Sequence, residues 1–191
     1  MWRESSAPQL LPGSFFPCSD NMRIIKLDSV GSTNTYLKQL AKGGIEPPCV
    51  VIAEEQSAGR GSNGRQFSSP KGGLYLSYFI RPAKSAEELV GITIPAAEAV
   101  RRAILAVCPG LVITLKPVND LLINGKKLCG ILTELSGANL IIGVGINVNR
   151  VEFPGGLNAT SLFLETGCEQ SLDILAGNVI KELEAFSAQL L

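Results

Sequence analysis

An Asn-Gly pair at positions 124 and 125 divides two apolar runs, Leu121-Leu122-Ile123 and Leu128-Cys129-Gly130-Ile131-Leu132. Both residues of the pair tolerate positive φ, and such a pair between two strand-like runs is the strongest short hairpin signal a sequence offers. It commits this part of the chain to antiparallel pairing. Residues 136–139 make a second turn into a strand at 140–148, where Gly143 and Gly145 leave room for something against the backbone.

Further strands are expected at 23–29, at 49–53 running on through Glu54, Glu55 and Gln56, at 74–80 and at 111–116. Ser32 suits the N-cap of a helix whose Tyr36, Leu37 and Leu40 share one face and which stops at Gly43-Gly44. Residues 85–90 read as one or two helical turns. Pro95 fits the first turn of a longer helix through Ala96, Val100, Ile104 and Val107, closed by Pro109-Gly110. A short helix is expected near Ser161, and a last one from Ser171 carries Leu172, Leu175, Val179, Leu183 and Phe186 at helical spacing. Hairpins with helices at either side predict an α+β fold with a mixed, largely antiparallel sheet. Residues 22–191 are expected to form that domain. Residues 1–21, broken by Pro8, Pro12 and Pro17, read as an extended arm, with Met22 as the expected start of translation.

The 17 lysines and arginines are balanced by 17 aspartates and glutamates, so no overall basic field directs the chain to nucleic acid. Any cationic site must be local. No apolar span is long enough for a membrane helix. The chain has no histidine and its five cysteines are scattered, which excludes a zinc set and removes the commonest general base. Three cysteines sit in apolar runs as small hydrophobes, in keeping with a reducing cytoplasm.

Between the second and third strands lies Gly59-Arg60-Gly61-Ser62-Asn63-Gly64-Arg65, too rich in glycine for a helix. Glycines let backbone N–H groups approach an anion, and arginine adds a permanent charge with a fork of donors. No Gly-Lys-Ser/Thr follows, so it is not a Walker A loop. Two readings stand on residue types alone: a clamp for phosphate or carboxylate, and a solvated surface loop. The same choice applies to Ser32-Thr33-Asn34 (cap or ligand contact), to Lys126-Lys127 (solvated charge or anion contact) and to Asn119-Asp120 (turn or site).

Taken in order, these motifs resemble the catalytic domain of biotin–protein ligases. The resemblance rests on Ser32-Thr33-Asn34; Glu55-Gln56-Ser57-Ala58-Gly59-Arg60-Gly61 with Gly64-Arg65; Ser69-Pro70-Lys71-Gly72-Gly73-Leu74-Tyr75-Leu76-Ser77; Lys116 with Asn119-Asp120; Gly125 through Glu134; and Ile142-Gly143-Val144-Gly145-Ile146-Asn147. It runs from about Met22 to the end of the chain. It implies a class II aminoacyl-tRNA synthetase-like fold and a two-step reaction using ATP with Mg²⁺. Biotin's carboxylate attacks the α-phosphorus, and a lysine of a biotin carboxyl carrier protein then takes the biotinyl group. The resemblance assigns the chemistry to Arg60, Lys116, Lys127 and Asp120. It assigns biotin to Ser32, Thr33, Asn34, Gln56, Gly59, Arg60, Gly61, Ser62, Lys127 and Gly130. It assigns the nucleotide to Arg65, Phe67, Asn119, Ile131, Gly143 and Asn147. No protein side chain is expected to hold metal unaided; Asp120 is expected to bind it through water or to receive a proton. No helix-turn-helix precedes the domain, so no DNA partner is expected. Family members often form homodimers, though the sequence shows no seam for one.

The chain departs from the family pattern at four places. Ser62 stands where the clamp usually carries another arginine, which predicts leaky release of the adenylate. Phe67 replaces a tryptophan. Lys116-Pro117-Val118-Asn119-Asp120 lacks the usual aromatic residue, and the small C-terminal β domain of many relatives is not expected here. A lipoate–protein ligase and a biotin-binding relative without chemistry are the rival functions.

Overall fold

The computed structural model describes residues 22–191, so the expectations for residues 1–21 lie outside it. Seven strands form one sheet: β1 (Arg23–Val30), β2 (Cys49–Gln56), β3 (Gly73–Ile80), β4 (Thr114–Lys116), β5 (Asp120–Ile123), β6 (Lys126–Ser136) and β7 (Asn139–Asn147), in the order β1-β2-β3-β7-β6-β5-β4. Only β1 and β2 run parallel; the other pairs are antiparallel. The α+β expectation with a mixed, largely antiparallel sheet is borne out.

Helix α1 (Thr33–Lys42) covers one face, packing Leu37 against Ile25, Val51, Phe79 and Ile141. Helices α2 (Thr93–Val107) and α4 (Leu172–Ser187) cover the other. A short α3 (Leu162–Thr166) precedes α4. Central β3 is buried at all eight positions, which is why its sequence is nearly continuous in apolar residues. Its alternation still sorts the faces: Leu74, Leu76, Tyr78 and Ile80 join the α2–α4 core, and Phe79 joins the α1 core.

The hairpin at Asn124-Gly125 has φ of 50° and 76°, the doubly left-handed turn the pair predicts. Ser32, Ser161 and Ser171 cap their helices by accepting from the backbone N–H of Thr35, Leu164 and Ile174. Two expectations need correction. The strand at 111–116 is laddered only over Thr114–Lys116, because β5 offers four residues before the hairpin turns away. The clamp, read as non-helical, contains one 3₁₀ turn at Ser62–Gly64. Residues 85–90 form turns that include one helical bond, Leu89 N–H to the Ser85 carbonyl at 3.2 Å. Cys49, Cys108 and Cys129 are buried, as their apolar surroundings predict, and burial pushes the Cys49 thiol up to about 11. Among the described residues no helix is long and apolar enough to cross a membrane.

Candidate active site

The sheet register builds the floor of a site. Asp120, Gly130, Gly145, Tyr75 and Ala53 stand opposite one another from β5 across to β2. Opposed residues in antiparallel pairs share a face. The adjacent row is Leu132, Gly143, Ser77 and Val51. Val51 lies under α1, so both rows face the side of that helix. Glycines at 130, 143 and 145 therefore leave a patch of bare backbone beside the start of α1. Asn34 fills the space over Gly143, and a Cβ there would overlap its Oδ1. Phe67 fills the space over Gly145, where a Cβ would lie 2.6 Å from the ring, and it also borders Gly130. The glycines in this strand thus serve close approach by named side chains.

One irregularity places the key lysine. Leu121 pairs with Cys129 but Leu122 pairs with Lys127, so Leu128 is an extra residue on β6. In a regular strand Lys127 and Gly130, three apart, would face opposite sides. The bulge brings Lys127 onto the face of Gly130 and Asp120. There its Nζ lies 2.7 Å from Asp120 Oδ1 and 5.5 Å from the centre of the Phe67 ring. Asp120 Oδ1 is buried, and its contact with Lys127 is close in distance but poorly aligned as a hydrogen bond. Attraction between charges depends on separation, so the two act as an ion pair.

Two cavities meet at this point. The inner one, about 30 Å³, is lined by Ser32, Thr33 and Asn34 from the start of α1, and by Gln56, Arg60, Gly61, Phe67, Asn119, Lys127, Ile131 and the glycine floor. The outer cleft, about 810 Å³, carries Ser62, Arg65, Asn147, Arg150, Phe153 and Asn158. Gln56, Gly61, Phe67 and Lys127 line both. The clamp loop closes on itself: Gly61 N–H donates to the Arg65 carbonyl at 2.7 Å, and Phe67 N–H to the Gly59 carbonyl at 2.9 Å. The Ser62 hydroxyl accepts from Arg65 Nη2 at 2.9 Å and from Asn119 Nδ2 at 3.4 Å.

Polar groups around the inner cavity are almost all satisfied by one another. Thr33 N–H donates to Gln56 Oε1 at 2.8 Å, and Gln56 Nε2 donates to Ser69 Oγ at 2.8 Å. Asn34 Nδ2 donates to Glu134 Oε2 at 2.9 Å. Lys38 Nζ donates to Glu134 Oε1 at 2.6 Å, and Arg60 Nη2 lies 3.7 Å from the same oxygen. Burial pushes the Glu134 carboxyl up, but the Lys38 and Asn34 hydrogen bonds and the nearby charges outweigh it, leaving the group below the ordinary carboxylate value.

Most of the expected site residues are thus brought together. Lys116 and Asp120 line neither cavity. Lys116 is exposed on edge strand β4 opposite Asp120, so the expected convergence of three cations is met by Arg60 and Lys127 alone. Gly59 lines neither; it is a crossing point, where a Cβ would come within 2.5 Å of Ser69 Oγ. Asn119, Ile131 and Gly143, expected near the nucleotide, line the inner cavity. Sequence reasoning assigned no role to Ser77, Lys38, Glu134 and Arg150. Arg150 is 7% exposed, stacks 4.4 Å from the Phe153 ring and donates to Asn147 Oδ1 at 3.3 Å, with no carboxylate partner among the described residues. Its signal was one charged residue directly after the Ile146-Asn147-Val148-Asn149 segment. Among the described residues no group of three or more Asp, Glu, Cys or His is placed to hold a metal.

A glycine-floored sheet face, a capped helix start and an arginine clamp define a ligase fold of one family. The family profile described as the biotin/lipoate A/B protein ligase family matches residues 27–149, and the chain belongs to that family. It is 38% identical over 154 residues to the bifunctional ligase/repressor BirA of Bacillus spizizenii, covering 75% of this chain and 47% of that protein. It is 35% identical to the biotin–[acetyl-CoA-carboxylase] ligase of Paracoccus denitrificans, covering 76% of this chain and 66% of that protein. The chain spans about half the length of the BirA relatives it matches. Among solved structures, the Aquifex aeolicus biotin protein ligase in complex with biotin and ATP superposes with a TM-score of 0.74 at 32% identity, over 87% of this chain and 72% of that one. The Leishmania major biotin protein ligase in complex with biotinyl-5-AMP gives 0.77 at 26%, over 90% and 76%.

Proposed function

We propose that this chain is an ATP-dependent ligase that activates biotin as biotinyl-5′-AMP and passes the biotinyl group to a lysine of a biotin carboxyl carrier protein. One observation carries the reading: an inner cavity with a neutral polar end and a cationic mouth opens, past Phe67, into a cleft of nucleotide size. The relatives with biotin, ATP and biotinyl-5-AMP in their structures support it.

Biotin's uncharged ureido head matches Ser32, Thr33 and Gln56, and its carboxylate then points to Arg60 and Lys127. A carboxylate approaching a phosphate at about 4 Å meets roughly 4 kcal/mol of repulsion at an intermediate dielectric. Arg60 and Lys127 offset that repulsion and follow the charge developing on the α-phosphate. Without ligand, Glu134 and Asp120 balance these two cations, so the incoming carboxylate competes with internal acids. Arg65, Arg150 and Asn147 line the cleft where the phosphate tail would lie. Mg²⁺ would be carried in on the phosphates, since among the described residues no group of three or more carboxylates is placed to hold it. The inner cavity has room for about one water molecule. Entry of a ring-sized ligand therefore requires Phe67 and the clamp to swing outward.

Incubation with ATP and biotin should release pyrophosphate, and lipoate in place of biotin should not. Release with lipoate alone would make the chain a lipoate ligase. A second reading, a biotin-binding relative without chemistry, draws on the exposed Lys116 and on Ser62; it predicts biotin binding with no pyrophosphate.

A further inference from the structure

Three side chains hold the Glu134 carboxylate, which is largely buried, with 16% of its side chain exposed. Asn34 and Lys38 stand one turn apart on α1 and so share a face of that helix. Asn34 Nδ2 donates to Glu134 Oε2 at 2.9 Å, and Lys38 Nζ donates to Oε1 at 2.6 Å. Arg60 Nη2 lies 3.7 Å from that same Oε1, too far for a hydrogen bond. Lys38 therefore occupies the oxygen that Arg60 would otherwise take. The two cations also differ in where they stand. Arg60 lines the inner cavity with its side chain 50% exposed, whereas Lys38 and Glu134 line neither cavity. A largely buried carboxylate left without a cation is costly. Among the described residues the charges that act on Glu134 are those of Lys38 and Arg60. Without Lys38 the claim on Glu134 passes to Arg60, which needs to move by only about 1 Å to close a charge-assisted bond.

We propose that Lys38 is a positioning residue for the ligand's carboxylate: by satisfying Glu134 it keeps the Arg60 guanidinium free to bind that group. The proposal rests on the biotin reading above, in which the carboxylate points to Arg60. It deepens that reading by assigning part of carboxylate recognition to a residue that does not touch the ligand. Glu134 is then an internal rival of the ligand, and Lys38 decides how strongly it competes.

The test measures binding of biotin and of its alcohol analogue, in which CH₂OH replaces the carboxylate and nothing else changes. Wild type is expected to bind biotin roughly ten- to a hundredfold more tightly than the alcohol, the worth of a charge-assisted contact. Lys38→Met should weaken biotin about tenfold, because its carboxylate must now displace Glu134 from Arg60, and should leave the alcohol within about twofold. Lys38→Arg keeps the charge and should keep the wild-type ratio. Adding Glu134→Gln to Lys38→Met removes the rival, while glutamine can still accept from Asn34, so biotin binding should return to within about twofold of wild type. A purely structural role for Lys38 would weaken both ligands alike. Melting curves establish that each variant is folded; Lys38→Gln, neutral but able to donate to Glu134, makes the same comparison where Lys38→Met does not fold. A folded variant without the lysine charge that keeps the wild-type ratio, or that loses both ligands alike, overturns this proposal alone, as does a folded double variant that is not rescued. A wild-type protein that binds the two ligands equally overturns the placing of the carboxylate at Arg60 as well, and one that binds neither overturns the biotin reading.

Discussion

Replacing Lys127 by methionine should damage stability and chemistry together, and a second change should separate them. Lys127 Nζ and Asp120 Oδ1 are 2.7 Å apart, with side chains 31% and 14% exposed. At an effective dielectric of about 20 their gross attraction is about 6 kcal/mol, most of it offset by desolvation. Removing the lysine strands a buried carboxylate, at a cost of about 2–3 kcal/mol given the partial exposure. Lys127→Met/Asp120→Asn removes the stranded charge and should recover most of that loss. Activity should not follow. A charge-assisted contact to substrate is worth about 1.5–3 kcal/mol, so both variants should release pyrophosphate roughly ten- to a hundredfold more slowly. Denaturant unfolding and pyrophosphate release, run on the same preparations, read the two effects. A double variant as unstable as the single one, or a Lys127→Met protein with wild-type turnover, would refute the reasoning.

Further outcomes follow from the same geometry. Gly145→Ala puts a Cβ 2.6 Å from the Phe67 ring and should drive it outward at a cost of about 1–2 kcal/mol, with faster adenylate loss when no acceptor is present. Ser62→Arg should slow adenylate release roughly ten- to a hundredfold in a trapping assay; equal rates would end that idea. Lys116→Ala, on the exposed edge strand, should slow pyrophosphate release about tenfold less than Lys127→Met does. Glu134 has a folded value below the ordinary 4.5, so its stabilisation is present above that pH and is lost as pH falls through the folded value. Acid unfolding of Glu134→Gln should therefore be flatter than wild type below about pH 4.5.

Local signals carried most of the fold. The Asn124-Gly125 turn, the serine caps and the two-residue alternation of β3 each act through near neighbours, and each was legible. What failed depended on distant partners. The strand at 111–116 reads as six residues, but its length is set by the four residues of β5. Lys127 faces the site only because of a bulge that no local pattern announces. Lys116 satisfies its motif by sequence, yet it lies one strand beyond the cavities. Ser77 and Glu134 were legible only as members of motifs; their hydrogen bonds to Asn34 form only when α1 lies across the sheet. Arg150 is similar: nothing beside it in sequence says it will be buried over Phe153.

The central claim is that a carboxylate oxygen of biotin bonds to the α-phosphorus of ATP within this cavity. Biotin labelled with ¹⁸O in its carboxylate, given with ATP and hydroxylamine as acceptor, follows that bond directly. The account predicts AMP carrying one labelled oxygen, lost when Arg60 is replaced by alanine. Unlabelled AMP, or ADP as the nucleotide product, would contradict it.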